Sequence, residues 1–128
     1  MTYYFSKTLA MDFDAAIAHV VEVLKTEGFG IITEIDVAET LKKKLNVAFR
    51  PYRILGACNP SMAYEALKLE DKIGTMLPCN VVVQELAPRQ IEVAAIDPLA
   101  SMQAIDNPQL KETAVGVRDL LKKAVAAL

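Results

Sequence analysis

The sequence contains two cysteines, and an asparagine directly follows each of them, in Cys58-Asn59 and Cys79-Asn80. A thiolate is a nucleophile and a ligand for soft metal ions, and a neighbouring carboxamide can donate and accept hydrogen bonds. The wide separation of the two cysteines is not the short, paired spacing of a structural zinc site. Two thiols alone could instead hold a soft ion such as Cu(I) or form a redox disulfide.

Cys58 ends a predicted strand, and the Asn59-Pro60 step after it is typical of a helix start. The partial positive charge of a helix N-terminus stabilises a thiolate and can bind an anion. This corner therefore holds a reactive thiol or an anion pocket, or Cys58 is a small, inert cysteine buried at a strand end. Cys79 begins another predicted strand and shares a face with Val81 and Val83, which is typical of a core residue.

If these two strands are antiparallel neighbours, both cysteines lie at the same edge of the sheet. Two arginines precede the corner at Cys58 and could clamp an anionic ligand, although such arginines also keep a sheet face solvated. Which face Cys79 occupies is left open by the sequence. The predicted ligand-binding residues are Cys58, Asn59, Cys79, Asn80, Arg50 and Arg53.

Other catalytic signals are weak. The single histidine, His19, falls on the polar face of its predicted helix and offers no base for Cys58. The five glycines form no phosphate-binding pattern. The lysine run 42–44 closes a predicted helix, where cations suit the negative end of the dipole, and phosphate binding is the alternative. We predict no dedicated metal site, and the sequence identifies neither a catalytic residue nor a cofactor.

Composition indicates one ordinary domain spanning residues 1–128. The chain has 53% hydrophobic and 23% charged residues, which is enough apolar material for a packed core. Its net charge of −2 argues against a nucleic-acid partner. The aliphatic runs are too short to span a membrane, and the N-terminus does not resemble a signal peptide. Two cysteines without an export signal predict free thiols and a cytoplasmic location.

Hydrophobic periodicity predicts the element order β-α-β-α-β-α-β-β-(α)-α. The predicted strands are 3–9, 29–35, 52–58, 79–86 and 91–96, and the predicted helix caps are Asp12, Asp36, Asn59 and Asn107. A hairpin around residues 87–90 and the absence of regular βαβ units predict an α+β fold: a mixed or antiparallel sheet of about five strands with helices on one face. The other face must then be solvated, bind a ligand or pair with a second copy.

Several stretches, taken together and in this order, resemble the small bacterial and archaeal proteins grouped as domain of unknown function 302. They are Gly28–Asp36, 49–60, 77–83 and the Asp97-Pro98 turn. The resemblance runs from about Phe13 to Pro98. It implies a TATA-binding-protein-like architecture, in which helices cover one side of a curved antiparallel sheet, and it suggests a homodimer. It implies neither DNA binding nor an activity.

Two classes of function remain open. The first is a non-catalytic binding module for a small anionic or thiol-reactive ligand, or a soft metal, near Cys58 and Cys79. The alternative is a homodimerising structural or interaction protein that uses its open sheet face and has no small-molecule site. An enzyme comes third, because no base is visible beside Cys58.

Overall fold

A five-stranded antiparallel sheet forms the centre of the protein, for which a computed structural model describes residues 2–128. The strands are β1 (Tyr4–Leu9), β2 (Gly30–Asp36), β3 (Tyr52–Cys58), β4 (Cys79–Ala87) and β5 (Gln90–Ile96). Their order across the sheet is β1-β5-β4-β3-β2, and every neighbouring pair is antiparallel. The expectation of an α+β fold with about five strands is confirmed, and the mixed sheet that it allowed is not found.

A helix follows each of the first three strands, and two more helices follow the β4–β5 hairpin. The helices are α1 (Phe13–Thr26), α2 (Val37–Leu45), α3 (Pro60–Leu69), α4 (Pro98–Ser101) and α5 (Pro108–Ala126), with a 3-10 helix at Asp71–Met76 between α3 and β4. In the part of the chain described, no helix is both long and apolar enough to cross a membrane.

The main core lies between one face of the sheet and helices α1 and α5. Side chains alternate along a strand, so every second residue of β4 and β5 points to this face. Val81 and Val93 are among them, and they pack with Val20 and Leu24 of α1 and Leu121 of α5. All five are nearly inaccessible to solvent. Apolar burial on this face therefore holds the two long helices against the sheet.

A second, smaller core lies beside the main one. It joins Ala66 of α3, Ile73 of the 3-10 helix, Met102 just after α4, and Leu110 and Ala114 of α5. This cluster fixes the segment between α3 and β4, which no sequence pattern predicted to be helical. It also places the first turns of α3 above the end of the sheet where β3 finishes and β4 starts.

Three of the four predicted helix caps are confirmed by hydrogen bonds. The Oδ1 atom of Asp36 accepts from the Glu39 N–H at 2.9 Å. The Oδ1 atoms of Asn59 and Asn107 accept from first-turn N–H groups of α3 and α5. Asp12 precedes α1 as predicted, but its side chain makes no capping bond. Its carboxylate instead accepts from Nη1 of Arg89 at 2.9 Å, because the β4–β5 turn lies beside it.

Candidate functional site

Cys58 and Cys79 lie at the same edge of the sheet. Strands β3 and β4 are antiparallel neighbours, and Ala57 pairs directly with Cys79. Cys58 is the next residue after Ala57 and pairs on its other side with Gly30 of β2. The sequence-based condition for proximity, antiparallel neighbouring strands, is therefore met. Both cysteines are free thiols.

A cavity of about 330 Å³ opens at this edge, and both cysteines line it. Its walls come from the last residues of β3 and the first residue of β4, from α3, and from the segment just before β4. Residues of α5 also line it. Most of the lining side chains are apolar, including Phe29, Met62, Leu77, Met102 and Val117. No Asp, Glu, Lys, Arg or His belongs to the lining. The cavity is therefore lined mainly by apolar groups, with few polar ones.

Asn59 connects this pocket to the end of α1. Its Oδ1 atom accepts a hydrogen bond of 3.3 Å from the Met62 N–H, which caps α3. Its amide nitrogen lies 3.1 Å from the position that a Cβ atom on Gly28 would take. Gly28 has a φ of +86°, a conformation that residues with side chains rarely adopt. Glycine at this position can therefore adopt the backbone conformation of the turn after α1. It also leaves room for the Asn59 amide, because it has no Cβ atom.

Ile32 reaches the pocket because strand β2 contains a bulge. The ladder with β3 shifts between Ile31 and Thr33, so Ile32 has no pairing partner. Bulges redirect a side chain and often occur beside functional sites. Ile32 lines the cavity although 62% of its surface is exposed. Ile32 was not among the predicted site residues, and its only signal in the sequence was the break in alternation caused by two consecutive isoleucines.

Met62 and Met102 are two further pocket residues that the sequence analysis missed. Met62 stands in the first turn of α3, and its Cε atom is 3.4 Å from the position of a Cβ on Gly116 of α5. It therefore lies between the two helices that close the pocket. Met102 is almost fully buried where the second core meets the cavity. Met62 follows Cys58 by four positions, with the start of a helix between them. This short separation was the signal in the sequence that Met62 could lie near Cys58.

The two thiols have different surroundings. Cys58 is half-buried, whereas only 7% of the Cys79 surface is accessible. Burial raises the pKa of the Cys79 thiol to about 11, and the negative charge of a Cys58 thiolate nearby adds to the rise. Cys79 therefore stays protonated at neutral pH. It occupies the helix-covered face of the sheet with Val81 and Val83, which answers the question the sequence left open.

The other predicted site residues lie elsewhere. Asn80 pairs with Gly56 and is exposed on the opposite face of the sheet. Arg50 and Arg53 lie at the other end of β3, because the strand runs from Tyr52 to Cys58. The structure brings Cys58, Asn59 and Cys79 together at the cavity and does not bring the two arginines or Asn80 to it.

Both arginines have protein partners of their own. Arg53 donates from Nη1 to Glu34 Oε1 at 2.6 Å, and its guanidinium lies 5.6 Å from the centre of the Phe13 ring. Arg50 donates from Nε to Gln84 Oε1 at 2.8 Å and covers the Phe49 ring at 4.4 Å. These contacts hold both side chains without a ligand, although Nε of Arg53 is buried and has no hydrogen-bond partner among residues 2–128.

The pocket offers little for acid–base chemistry. His19 does not line it. Among residues 2–128, no group of three or more histidine, cysteine or acidic side chains is arranged to hold a metal ion. The arrangement can surround an apolar molecule, hydrogen-bond to one polar group through Asn59 and present the Cys58 thiol to it.

The sequence and the fold were compared with those of known proteins. A search of curated proteins gives no match. A solved structure titled as an uncharacterized conserved protein DUF302 from Bacillus stearothermophilus superimposes with a TM-score of 0.89. The two sequences are 27% identical, and the alignment covers 98% of each chain. The family model described as domain of unknown function DUF302 matches residues 5–128, nearly the whole chain. The chain therefore belongs to the DUF302 family.

Proposed function

We propose that this protein is a non-catalytic binding module that takes a small, mainly apolar ligand into the cavity beside Cys58. The cavity itself is the observation that carries the proposal. Its volume of about 330 Å³ falls within the usual range of ligand pockets, roughly 300–1,000 Å³. Apolar walls with a few polar groups at one place are the usual composition of such pockets.

The wall residues favour one of the ligand classes expected from the sequence. A charged ligand would lose its hydration in this cavity, and no lining side chain carries a charge to offset that loss. The hydroxyl of Thr113 already donates to the Gln109 carbonyl at 3.3 Å. Cys58 and Asn59 are therefore the groups left to orient a ligand. These features support a thiol-reactive or hydrogen-bonding ligand over an anion.

The absence of a base among the lining residues favours binding over catalysis. A cysteine nucleophile needs a group that removes its proton, and histidine or a carboxylate usually does so. Neither lines this cavity. We further infer a cytoplasmic location, which two unpaired thiols favour because reducing compartments keep cysteines free.

A neutral fluorescent probe, N-phenyl-1-naphthylamine, tests the pocket. Ala63 of α3 lines the cavity and is half-buried, so Ala63→Phe should fill part of the space. Ala15 of α1 is exposed and remote from the pocket lining, and Ala15→Phe is the matched control. We expect the wild type and Ala15→Phe to bind the probe equally and Ala63→Phe to bind at least about tenfold more weakly, a loss of ~1.4 kcal/mol. Equal binding by all three proteins would refute the proposal.

A second candidate function is self-association through the sheet face that α1 and α5 leave uncovered. The register places Ile54, Val82 and Ala94 in one row across three central strands of this face. Ile35 continues the row on β2 with 49% of its surface exposed. Among the strand residues of this face, Glu92 is the only charged one, and it accepts a hydrogen bond from Gln84.

The open face is comparable in size to the interface of a dimer, although its flat area is the smaller of the two. The five strands lie ~4.8 Å apart, and each is about seven residues long at ~3.3 Å per residue. The flat area of the face is therefore roughly 500 Å², and the protruding side chains add to it. A stable interface buries about 800 Å² on each partner. With Glu92 as its one charged strand residue, this face carries little charge to oppose a symmetric dimer in which two copies pair it.

The dimer is tested by sedimentation velocity over a wide concentration range. Val82 lies at the centre of the open face, and Val115 is an exposed valine on α5. We expect Val82→Lys to yield a monomer and Val115→Lys to sediment like the wild type, because only the first places a charge in the interface. A wild type that stays monomeric at every concentration would exclude the dimer.

A further inference from the structure

Sulfur is concentrated at the cavity. The chain has two cysteines and five methionines, and four of these residues line this one cavity: Cys58, Met62, Cys79 and Met102. They come from four separate parts of the chain, namely β3, α3, β4 and the segment after α4. The packing of the two cores, not sequence proximity alone, therefore brings their side chains to the same walls.

All four of these sulfur-containing residues line the same cavity. Cys58 and Cys79 are one register position apart at the sheet edge. Met62 stands in the first turn of α3, just after the strand that ends at Cys58, and its Cε atom lies 3.4 Å from the Cβ position of Gly116 on α5. Met102 lines the deeper part of the same cavity. The lining of the cavity thus contains two thiols and two thioethers, and Cys58 among them is partly exposed to solvent.

The sulfur atoms of these cysteines and methionines would favour some metal ions over others, according to the softness and the charge of the ion. Thiolate and thioether ligands prefer soft ions such as Cu(I), whereas oxygen and nitrogen ligands suit harder ions. No carboxylate or imidazole lines the cavity. One thiolate with a monovalent ion forms a neutral unit, which an apolar cavity accommodates better than a complex with net charge. A divalent ion bound by the same ligands would keep a positive charge.

We propose that the cavity binds one soft monovalent ion, Cu(I) or Ag(I), through the Cys58 thiolate and the Met62 thioether, with a third sulfur from Cys79 or Met102. Binding releases the Cys58 proton to solvent and forms the metal–thiolate bond, with no change of oxidation state. The proposal rests on the proposed binding function, because it uses the same cavity and specifies what its sulfur atoms take.

Anaerobic competition against the Cu(I) chelator bathocuproine disulfonate tests this site. We expect the folded wild type to retain one Cu(I) per chain. Cys58→Ser and Met62→Leu should each weaken retention by at least about tenfold, since even changes outside the direct ligands of a metal commonly weaken binding by 10–100-fold. Met11→Leu is the matched control, because Met11 packs in the main core and does not line the cavity. It should retain Cu(I) like the wild type.

The wild type and every variant should also be titrated with N-phenyl-1-naphthylamine and with Zn(II). Zn(II) should bind much more weakly than Cu(I). Failure of the wild type to retain Cu(I), or unchanged retention in both Cys58→Ser and Met62→Leu, would overturn the metal proposal. If the probe still enters the wild-type cavity in that case, the binding function stands and only its extension to a metal is wrong. If neither probe nor Cu(I) binds, both fail together.

Discussion

Cys58 and Cys79 lie one register position apart on neighbouring antiparallel strands, yet only Cys58 is accessible to solvent to any large extent. Cys79 is buried in the cavity wall against the helix-covered face of the sheet, and its pKa is raised to about 11. One thiol can therefore meet a ligand at neutral pH, while its neighbour is held in the protonated form.

This difference predicts selective modification. Iodoacetamide at neutral pH should alkylate Cys58 and leave Cys79 unmodified, because the thiolate is the reacting form and Cys79 is both protonated and shielded. Peptide mass spectrometry identifies the modified residue. Cys58→Ser should then show almost no adduct until the protein is unfolded with denaturant. Equal rates at the two cysteines in the native protein would contradict the burial of Cys79.

The raised pKa of Cys79 also predicts a loss of stability in alkaline solution. The unfolded thiol, with an ordinary pKa near 8.5, releases its proton before the folded one does, so the folded state binds more protons between these values. The free energy of unfolding should therefore fall as the pH rises from about 9 to 11, by roughly 2–3 kcal/mol from this group. Below the unfolded pKa the contribution is constant.

Urea unfolding of the wild type and Cys79→Ala at several pH values measures this effect. The small, apolar alanine removes the titrating group and leaves the other groups that titrate in this range in place. The difference in stability between the two proteins should therefore shift in favour of Cys79→Ala as the pH increases. A difference that does not change between pH 8 and pH 11 would show that Cys79 does not titrate as expected.

Gly56 should tolerate no side chain. A Cβ at this position would lie 2.6 Å from Cγ of Pro78 and would also overlap the Thr33 hydroxyl. The proline ring cannot rotate away, so we expect Gly56→Ala to reduce stability by about 1–3 kcal/mol. Gly30 on the next strand has no atom within 4 Å of its Cβ position, so Gly30→Ala is the control. Thermal unfolding should separate the two variants, and equal melting temperatures would argue against the crowding at Gly56.

Asn59 and Asn107 make a matched pair of helix caps with different surroundings. Replacing either with alanine should cost about 1 kcal/mol of stability through the lost capping bonds. Only Asn59→Ala should also change probe affinity, because Asn59 lines the cavity and Asn107 does not. The comparison of stability with probe binding in the two variants tests this. An equal change of probe affinity in both would indicate that Asn59 acts through stability alone.

Local signals account for much of the agreement between the predicted and observed elements. β3 was predicted with its observed bounds, since Pro51 precedes it and the Asn59-Pro60 cap ends it. β2 was predicted one residue early at each end, because the glycine turn after α1 extends further than the apolar pattern indicates. Capping, alternation and turn chemistry depend on a few neighbouring residues, so the sequence alone can reveal them.

The site was less accessible to prediction because its walls come from distant parts of the chain. The contribution of Met102 depends on the packing of the second core, and that of Ile32 depends on a pairing irregularity. The separation of the arginines from the cysteines was within reach of sequence reasoning. Arg53 and Cys58 are five positions apart on the strand, a span of roughly 17 Å at ~3.3 Å per residue. A single small ligand could not contact both ends.

The bulge at Ile32 has a consequence beyond the pocket. Strand β2 is an edge strand, and an edge with a regular row of free N–H and C=O groups can recruit a strand from another molecule. The extra residue interrupts that row and bends the strand locally. The irregularity that brings Ile32 to the cavity therefore also makes it harder for a strand of another molecule to pair with this edge. Such pairing between molecules is the first step of aggregation.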